Sequence, residues 1–381
     1  MTAAPGRVFI TGIGLHPFGR FDDADLTGLG SVAVSEAIAD ADADRSSIDA
    51  TFCATAYGGV ATGHRVLGAL AMTGPPIIDV EAGCASGGAA LQLAHTAVAA
   101  GLYRRVLVVG VEKMPRGVIR SSFFPPWMET AGLTPAPAYF ALRAQRLLAE
   151  QGLTKEHLAA LVVKNRRQGA ANPDAMFRTE VTSDDVLASR VVCEPLHLWM
   201  LCSPNEGAAA LVVEAERRRS TDVEVAAVEL RSHTPGHVLG EDSPLAGIDH
   251  SAIVPPSTVA ARAAYEATGI GPDDLDVVEC QDTDAGRELQ AWVELGLCAP
   301  GEQAAVLAEG RFDPGGRLTV NPSGGLLSKG EPLGASAVGQ VVELVRQLRG
   351  QAGQRQVQGA RTAMSHVIGR GANACVTILR S

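Results

Sequence analysis

The sequence has few aromatic residues, and its acidic residues outnumber its basic ones. Only 4% of its 381 residues are Phe, Trp or Tyr, whereas 46% are hydrophobic and 42 residues are glycine. Small and branched aliphatic side chains must therefore fill the core, which favours close packing of helices on sheets. The formal net charge of -10 at pH 7 disfavours general affinity for nucleic acid or anionic lipid. We expect a small molecule or another protein as the partner.

The sequence also lacks paired cysteine motifs and long apolar runs. Its seven cysteines are odd in number, include no CxxC pair and follow no secretory leader, which predicts a reducing, cytoplasmic location. No uninterrupted apolar stretch reaches the roughly 20 residues that a membrane helix needs, so we expect no membrane span. No group of His and Cys residues has convincing metal-ligand spacing, and we predict no metal site.

Short β-branched runs alternate with helical patterns along most of the chain. This alternation predicts an α/β fold with largely parallel sheets covered by helices. The length exceeds that of an ordinary single core, which favours two α/β units. The predicted strands cover residues 7–14, 105–112, 209–215, 223–230, 276–282, 317–324 and 374–380.

A weak internal repeat indicates two related halves. In each half a strand runs into a Gly/Ser-rich bend and a small-residue helix, as "EAGCASGGAALQLAHTAVAAG" and "NPSGGLLSKGEPLGASAVGQVVELVRQLRG". The charged stretch "RRRSTDV" (216–222) predicts the junction, so we divide the chain into residues 1–220 and 221–381. Residues of about 113–205 form an excursion from the first half, and long excursions of this kind usually shape binding sites.

The first bend places Cys84 at the start of a Gly/Ala-rich helix. A thiol there faces unpaired backbone N–H groups and the positive end of the helix dipole, which favour the nucleophilic thiolate. The alternative is a small buried cysteine in a tight bend, since free cysteines are among the most buried residues.

The second bend places Glu331 between Gly330 and Pro332. A carboxylate that faces the thiol of the other half can act as a general base, provided that its surroundings hold its pKa near neutrality. The alternative is a surface glutamate that caps a turn or pairs with a cation.

Four stretches of the sequence resemble the thiolase superfamily, in particular its sterol-carrier-protein type and the related lipid-transfer proteins. They are "GCASGGAAL", "CSPNEGAAALVV", "NPSGGLLSKGEPLGAS" and "VIGRGANACVTIL", in the order that the family has. The resemblance implies a thiolase-like fold, with two pseudo-duplicated mixed-sheet halves in a five-layer αβαβα sandwich and an inserted loop domain. It also implies a dimer and a role in lipid metabolism.

The resemblance implies that Cys84 takes the acyl group from a 3-ketoacyl-CoA. Three other motifs depart from the family's pattern. Glu331 stands where thiolases have the histidine of GHP, and "QDTD" puts Gln281 and Asp282 where sterol-carrier-type thiolases have His and Asp. Val367, preceded by His366, stands where biosynthetic thiolases have an acid/base cysteine.

These departures leave three functions open. The one we favour is acyl transfer that cleaves or forms a carbon–carbon bond, with Cys84 as nucleophile, Glu331 as base, and His366 or Asp282 as proton donor. The second is a retro-aldolase that cleaves a 3-hydroxyacyl-CoA, as in steroid side-chain lyases, without an acyl-enzyme. The third is a noncatalytic subunit that binds acyl-CoA, because a fold alone does not fix a function.

Further binding roles are expectations for the same site. The backbone N–H groups of Cys84 and of Gly369 or Gly371 would stabilise an oxyanion, although these glycines also fit a plain turn. Phe123, Phe124 and Trp127 would line the acyl pocket, or only pack the loop domain. Coenzyme A is the expected cosubstrate, with no tightly bound cofactor. Its phosphates would meet basic residues that fit a solvated helix end equally well, namely Lys164, Arg166, Arg167 and Lys329. The resemblance also implies a possible heteromer with a small OB-fold, zinc-ribbon subunit.

Overall fold

The computed structural model describes residues 6–117, 119, 126–132, 134–233, 254–369 and 373–381. Within these ranges the strands are β1 (Phe9–Gly19), β2 (Ala50–Ala54), β3 (Ile77–Val80), β4 (Arg105–Lys113), β5 (Val191–Cys193), β6 (Leu196–His197), β7 (Glu206–Glu214), β8 (Val223–Ser232), β9 (Val277–Cys280), β10 (Thr319–Val320), β11 (Thr362–Ile368) and β12 (Asn373–Arg380).

The helices of the same ranges alternate with these strands. They are α1 (Leu26–Asp40), α2 (Thr62–Ala69), α3 (Ser86–Ala99), α4 (Pro126–Thr130), α5 (Ala136–Gln151), α6 (Lys155–Ala170), α7 (Ser183–Ala188), α8 (Pro256–Thr268), α9 (Ala285–Glu294), α10 (Gln303–Glu309), α11 (Gly325–Lys329) and α12 (Leu333–Leu348).

The large sheet consists of two halves with the same strand order. Across the sheet the order is β10-β9-β11-β12-β8-β1-β7-β4-β2-β3. Numbered separately from β1 and from β8, each half reads 3-2-4-5-1 from its outer edge inward. In each half strand 2 pairs in parallel with strands 3 and 4, and strand 5 pairs antiparallel with strand 4. The predicted pseudo-duplication is therefore present in the topology.

The helices form three layers around the two half-sheets. The outer core on the first half holds α1 and α2 against the sheet, and the outer core on the second half holds α8 and α9. The central core contains α3 and α12, which pack on each other between the half-sheets. Gly87 of α3 lets α12 approach closely, because a Cβ atom there would lie 3.0 Å from the backbone nitrogen of Val338. The predicted five-layer α/β thiolase fold is confirmed.

The two half-sheets meet at a narrow seam between β1 and β8. Only Phe9 and Ile10 of β1 pair with β8 there. Beside the seam Glu224 accepts hydrogen bonds from Arg7 and Arg380, and these partners lower its pKa to about 2. Most of the contact between the halves is thus made by the central helix layer.

The connections also follow the sequence pattern, with some differences. β7 ends at Glu214 and β8 begins at Val223, so the predicted junction at residue 220 lies between these strands. Their division into separate folding domains stays a prediction. The strand predicted for 317–324 is only Thr319–Val320, because Gly324 and Gly325 have positive φ angles and begin a helical turn.

Candidate active site

Cys84 lies in a tight turn immediately before the N-cap residue of α3. The turn is held by its own atoms: the Ser86 hydroxyl donates to the Gly83 carbonyl (2.6 Å) and accepts from the Ala82 backbone N–H (2.9 Å). Ala85 closes it by donating its N–H to the Ala82 carbonyl (3.1 Å). Cys84 is 8% exposed and lines a large cavity, so the sulfur is sheltered yet open to a bound molecule. Its role as nucleophile stays a prediction.

Glu331 reaches the same cavity from the second half. Its backbone N–H donates to the Ser203 carbonyl (2.8 Å), so the loop pairs with the segment that precedes β7. Gly330 makes this path possible, since its φ is +83° and a Cβ atom would lie 2.0 Å from the side-chain nitrogen of Asn205. That Asn205 nitrogen donates to the Lys329 carbonyl (2.8 Å) and fixes the loop.

Two side chains orient the Glu331 carboxylate. Gln281 donates from Nε2 to one oxygen (2.9 Å), and Cys202 donates its thiol hydrogen to the other (3.2 Å). Gln281 is itself held by the backbone N–H of Ile368, which donates to its side-chain oxygen (2.7 Å). Glu331 is buried within the protein. The carboxylate is therefore fixed as an acceptor at the cavity wall.

Asp282, a predicted proton donor, does not line the cavity. It is fully buried and accepts from the backbone N–H groups of Leu326 (2.6 Å) and Leu327 (3.1 Å) at the start of α11. Asn165 donates to it as well (3.0 Å), and burial raises its pKa. The structure therefore gives Asp282, two residues after the end of β9, a capping role at α11.

His366, the other predicted donor, is also buried away from the cavity. Its Nε2 lies 3.0 Å from the hydroxyl of Ser257 on α8, and burial lowers its pKa. Side chains alternate along a strand, so His366 lies on the same face of β11 as Met364, which packs in the outer core. This placement argues against a role for His366 in proton transfer to a substrate.

Several predicted binding residues differ from expectation. The N–H of Gly369 donates to the Asn373 carbonyl (2.7 Å) and is thus committed to the β11–β12 turn. Trp127 is 55% exposed on α4 and does not line the cavity. Phe123, Phe124 and Gly371 lie outside the described residues.

Of the four predicted phosphate contacts, only Arg166 reaches the cavity wall. Its guanidinium lies over the Phe177 ring at 4.2 Å, and burial lowers its pKa to about 10. Lys164 and Lys329 are buried in ion pairs with Glu288 and Glu279, both at 3.0 Å. A cation so enclosed is not available at a channel mouth.

Three further arginines lie at the protein surface, and two of them line the cavity. Arg167 points to the surface and pairs with Asp313 (2.5 Å). Arg178 and Arg190 line the cavity, are exposed, and have no ion pair among the described residues. No sequence pattern separates these two arginines from ordinary surface cations, so the sequence did not indicate them.

The cavity has a volume of about 1370 Å³ and takes its walls from both halves and the excursion. Cys84 comes from the first half, Glu331 from the second, and Cys202 from the segment between them. Much of the wall is apolar, including Phe140, Phe177, Leu198, Trp199, Leu201 and Ile368. A space of this size and composition suits an extended ligand with a polar end and an apolar end.

Glu112, at the end of β4, ties the two halves together behind the cavity. Its carboxylate accepts hydrogen bonds from the backbone N–H groups of Ala56 (2.8 Å) and Tyr57 (3.0 Å), and both of these residues line the cavity. It also accepts from Gly334 (3.0 Å) at the start of α12. Burial raises the pKa of this carboxyl, and the three backbone donors oppose that shift.

Two further properties concern the described part of the chain. It contains no cluster of three or more His, Cys, Asp or Glu side chains arranged to hold a metal ion. Among its helices, none is both long and apolar enough to cross a membrane.

Family models match nearly the whole sequence. "Thiolase, N-terminal domain" matches residues 8–217, and "Thiolase C-terminal domain-like" matches residues 248–381. The chain belongs to the thiolase family.

Curated relatives place it near the lipid-transfer members of that family. Sterol carrier protein 2 of Bos taurus is 34% identical, over 98% of this chain and 72% of its own length. Benzoylsuccinyl-CoA thiolase subunit BbsB of Thauera aromatica is 36% identical, over 97% of this chain and 96% of its own. An acetyl-CoA acetyltransferase of Methanothermobacter thermautotrophicus is 35% identical, over 97% and 98% of the two chains.

Solved structures share the fold. The structure described as "Ltp2-ChsH2(DUF35) aldolase" has a TM-score of 0.87 at 26% identity and covers 100% of this chain and 99% of its own. Human mitochondrial 3-ketoacyl-CoA thiolase in complex with CoA has a TM-score of 0.73 at 16% identity, over 99% and 98% of the two chains.

Proposed function

We propose that the protein is an acyltransferase that cleaves or forms a carbon–carbon bond in a 3-ketoacyl-CoA through an acyl-enzyme at Cys84. The observation that carries the proposal is the meeting of Cys84 and the oriented Glu331 carboxylate in one cavity. A cysteine nucleophile needs a base nearby and a sheltered, substrate-sized space, and the cavity provides both. The thiolase family supports the same chemistry.

In this reaction Glu331 removes the Cys84 proton and the thiolate attacks the ketone carbon of the substrate. The buried carboxylate is held by the amide of Gln281, so it cannot rotate away from the cavity. Arg178 and Arg190, which form no ion pair within the described ranges, supply positive charge for the phosphates of coenzyme A, the proposed cosubstrate. The apolar wall then accepts the acyl group, for which the size of the cavity favours a branched, aromatic or polycyclic chain.

The partners are proposals as well. The edge strand β3 exposes Ile78 to 46%, and Val60 nearby is 95% exposed, which supports a homodimer across this edge. A heteromer with a small OB-fold, zinc-ribbon subunit is supported by two names, because one similar structure pairs Ltp2 with ChsH2(DUF35) and one relative is called a subunit.

Intact-protein mass spectrometry tests the acyl-enzyme. After incubation with acetoacetyl-CoA or acetyl-CoA, we expect an acetyl adduct that is absent from Cys84→Ser. The matched control is Cys298→Ser, which removes a half-buried thiol outside the cavity and should leave the adduct intact. No adduct on the wild-type protein with either thioester, with or without a partner subunit, would contradict the proposal and favour an acyl-CoA-binding subunit.

A retro-aldolase is the second candidate, favoured by the similarity to a structure described as an aldolase. There Glu331 would take the hydroxyl proton of a 3-hydroxyacyl-CoA, and Cys84 would form no bond. The wild-type and Cys84→Ser proteins distinguish the acyltransferase from the retro-aldolase. Release of an aldehyde or ketone from a 3-hydroxyacyl-CoA by both wild type and Cys84→Ser supports the aldolase.

A further inference from the structure

Cys202 is held in the cavity wall by backbone contacts on both sides. Its N–H donates to the Thr283 carbonyl (2.9 Å), and the next residue, Ser203, accepts from the Glu331 N–H (2.8 Å). Pro204 and Glu331 form a short parallel bridge. The position of the Cys202 sulfur relative to the Glu331 carboxylate is therefore fixed by main-chain pairing.

The Cys202 thiol is protonated and lies beside the Glu331 carboxylate in the wall of the cavity. It donates to Glu331 Oε2 (3.2 Å) and lines the same cavity as Cys84. Burial, followed by the charge of Glu331, raises the pKa of Cys202 well above its usual value, and the charge of Cys84 acts in the same direction. Cys202 is thus a thiol acid rather than a second nucleophile at neutral pH.

Carbon–carbon cleavage leaves an electron pair on the α carbon of the departing thioester, and this carbon needs a proton. Among the described residues, five cavity-lining side chains carry a thiol, carboxyl or phenol group that can release one, namely Tyr57, Glu81, Cys84, Cys202 and Glu331. Tyr57 and Glu81 are exposed at the mouth, and Cys84 becomes acylated in this step. Glu331 is hydrogen-bonded to Gln281 and Cys202. Of the five acids, Cys202 is therefore the one that is both sheltered in the cavity wall and free of another role in this step.

We infer that Cys202 is the acid that protonates the α carbon in cleavage and the base that deprotonates it in synthesis, which rests on the proposed acyl transfer by Cys84. In cleavage, Glu331 takes the Cys84 proton and the Cys84 sulfur bonds to the ketone carbon. The bond between that carbon and the α carbon breaks, and its electrons accept the Cys202 proton. Glu331 then returns its proton to the Cys202 thiolate along their hydrogen bond. The net change moves one proton from Cys84 to the released thioester.

Two reactions of the same enzyme test this role. Acetylation of Cys84 by acetyl-CoA breaks no carbon–carbon bond, whereas exchange of the acetyl-CoA methyl hydrogens in D2O and cleavage of acetoacetyl-CoA both need the α-carbon acid. In Cys202→Ser a hydroxyl keeps a donor for Glu331 but is a much weaker acid than a thiol. We expect Cys202→Ser to lose about 100-fold in exchange and in cleavage, the usual contribution of general acid catalysis, while it acetylates Cys84 at the wild-type rate.

The controls separate this inference from the proposed function. Cys202→Ala should lose exchange and cleavage as Cys202→Ser does, and because it also removes a donor to Glu331 it is not used to judge acetylation. Cys298→Ser should behave as wild type. Wild-type exchange in a folded Cys202→Ser that still forms the adduct would overturn the role of Cys202 and leave Cys84 in place. Loss of exchange in Tyr57→Phe instead would also overturn it. Absence of any adduct on the wild-type protein would overturn both.

Discussion

The two central bends of the duplicated fold are held in different ways. The bend before α3 is closed by its own neighbours, since Ser86, Ala82 and Gly83 supply its hydrogen bonds. The bend before α12 is longer, contains α11, and depends on distant groups. Asp282 caps α11, and Asn205 holds the Lys329 carbonyl. The first bend places its thiol by local chemistry, whereas the second places its carboxylate only in the complete fold.

The comparison predicts that the carboxylate of the second bend acts on the thiol of the first. Glu331→Gln keeps the size of the side chain but removes the base, so acylation of Cys84 by acetyl-CoA should fall by roughly 10²- to 10⁴-fold. The affinity for CoA should stay nearly unchanged, because the substitution alters proton transfer and no phosphate contact. Rapid-quench mass spectrometry measures the first quantity and calorimetric titration the second. Equal acylation rates in the two proteins would remove Glu331 from the mechanism.

A second substitution tests whether the longer bend depends on a close approach. Gly330→Ala places a methyl group against the Asn205 amide, at a φ of +83° and a ψ of 172° that residues other than glycine rarely adopt. We expect the free energy of unfolding to fall by about 2 to 3 kcal/mol, from the backbone strain and the overpacking together.

Gly152→Ala is the matched control for Gly330→Ala. Its φ is +65°, and a Cβ atom there would meet no atom within 4 Å, so only the backbone cost of about 1 kcal/mol applies. Urea unfolding measures both variants. Equal losses would mean that the contact with Asn205 is unimportant.

The smallest effect concerns a buried histidine of the second half. Burial lowers the pKa of His366 below its usual value of about 6.5, so the unfolded chain binds a proton that the folded chain does not. Above pH 6.5 the histidine is neutral in both the folded and the unfolded state, so its titration costs no stability. As the pH falls below 6.5, the unfolded chain binds the proton first, and the free energy of unfolding decreases. Between pH 7.5 and 5.5 we therefore expect the free energy of unfolding to fall, by an amount on the order of 1 kcal/mol.

His366→Gln removes this titration and keeps a donor for Ser257. We measure the free energy of unfolding in urea at pH 7.5 and at pH 5.5. The decrease between these two pH values should be smaller in His366→Gln than in the wild type. An unchanged slope in His366→Gln would show that this histidine is not responsible.

Local patterns explain which elements the sequence predicts. Long β-branched runs such as β4 and β12 are strands in the structure, and the bend at Cys84 is closed by adjacent residues. β3 and β11 lack this signal. β3 is a four-residue edge strand that contains Asp79, and β11 carries Thr, Ser and His among its apolar residues. Their pairing in the sheet, rather than their composition, makes them strands.

The site was less predictable than the fold. Asp282 and His366 have side chains suited to proton transfer, yet strand geometry directs one to α11 and the other to α8. The contact between Cys202 and Glu331 has no signal in the sequence, because the two residues lie more than a hundred positions apart. Sequence spacing does not report such pairings. Only the meeting of three segments defines the chemistry of the cavity.

The division of the site between the halves has a consequence for the growing chain. A ribosome that has released the first 220 residues has made Cys84 and Cys202 but not yet Glu331. During that interval the proposed nucleophile lacks its proposed general base, which is added only when residue 331 of 381 has been synthesised. If the two residues act together as proposed, the order of residues along the chain makes the reaction available only to a polypeptide whose translation is nearly complete.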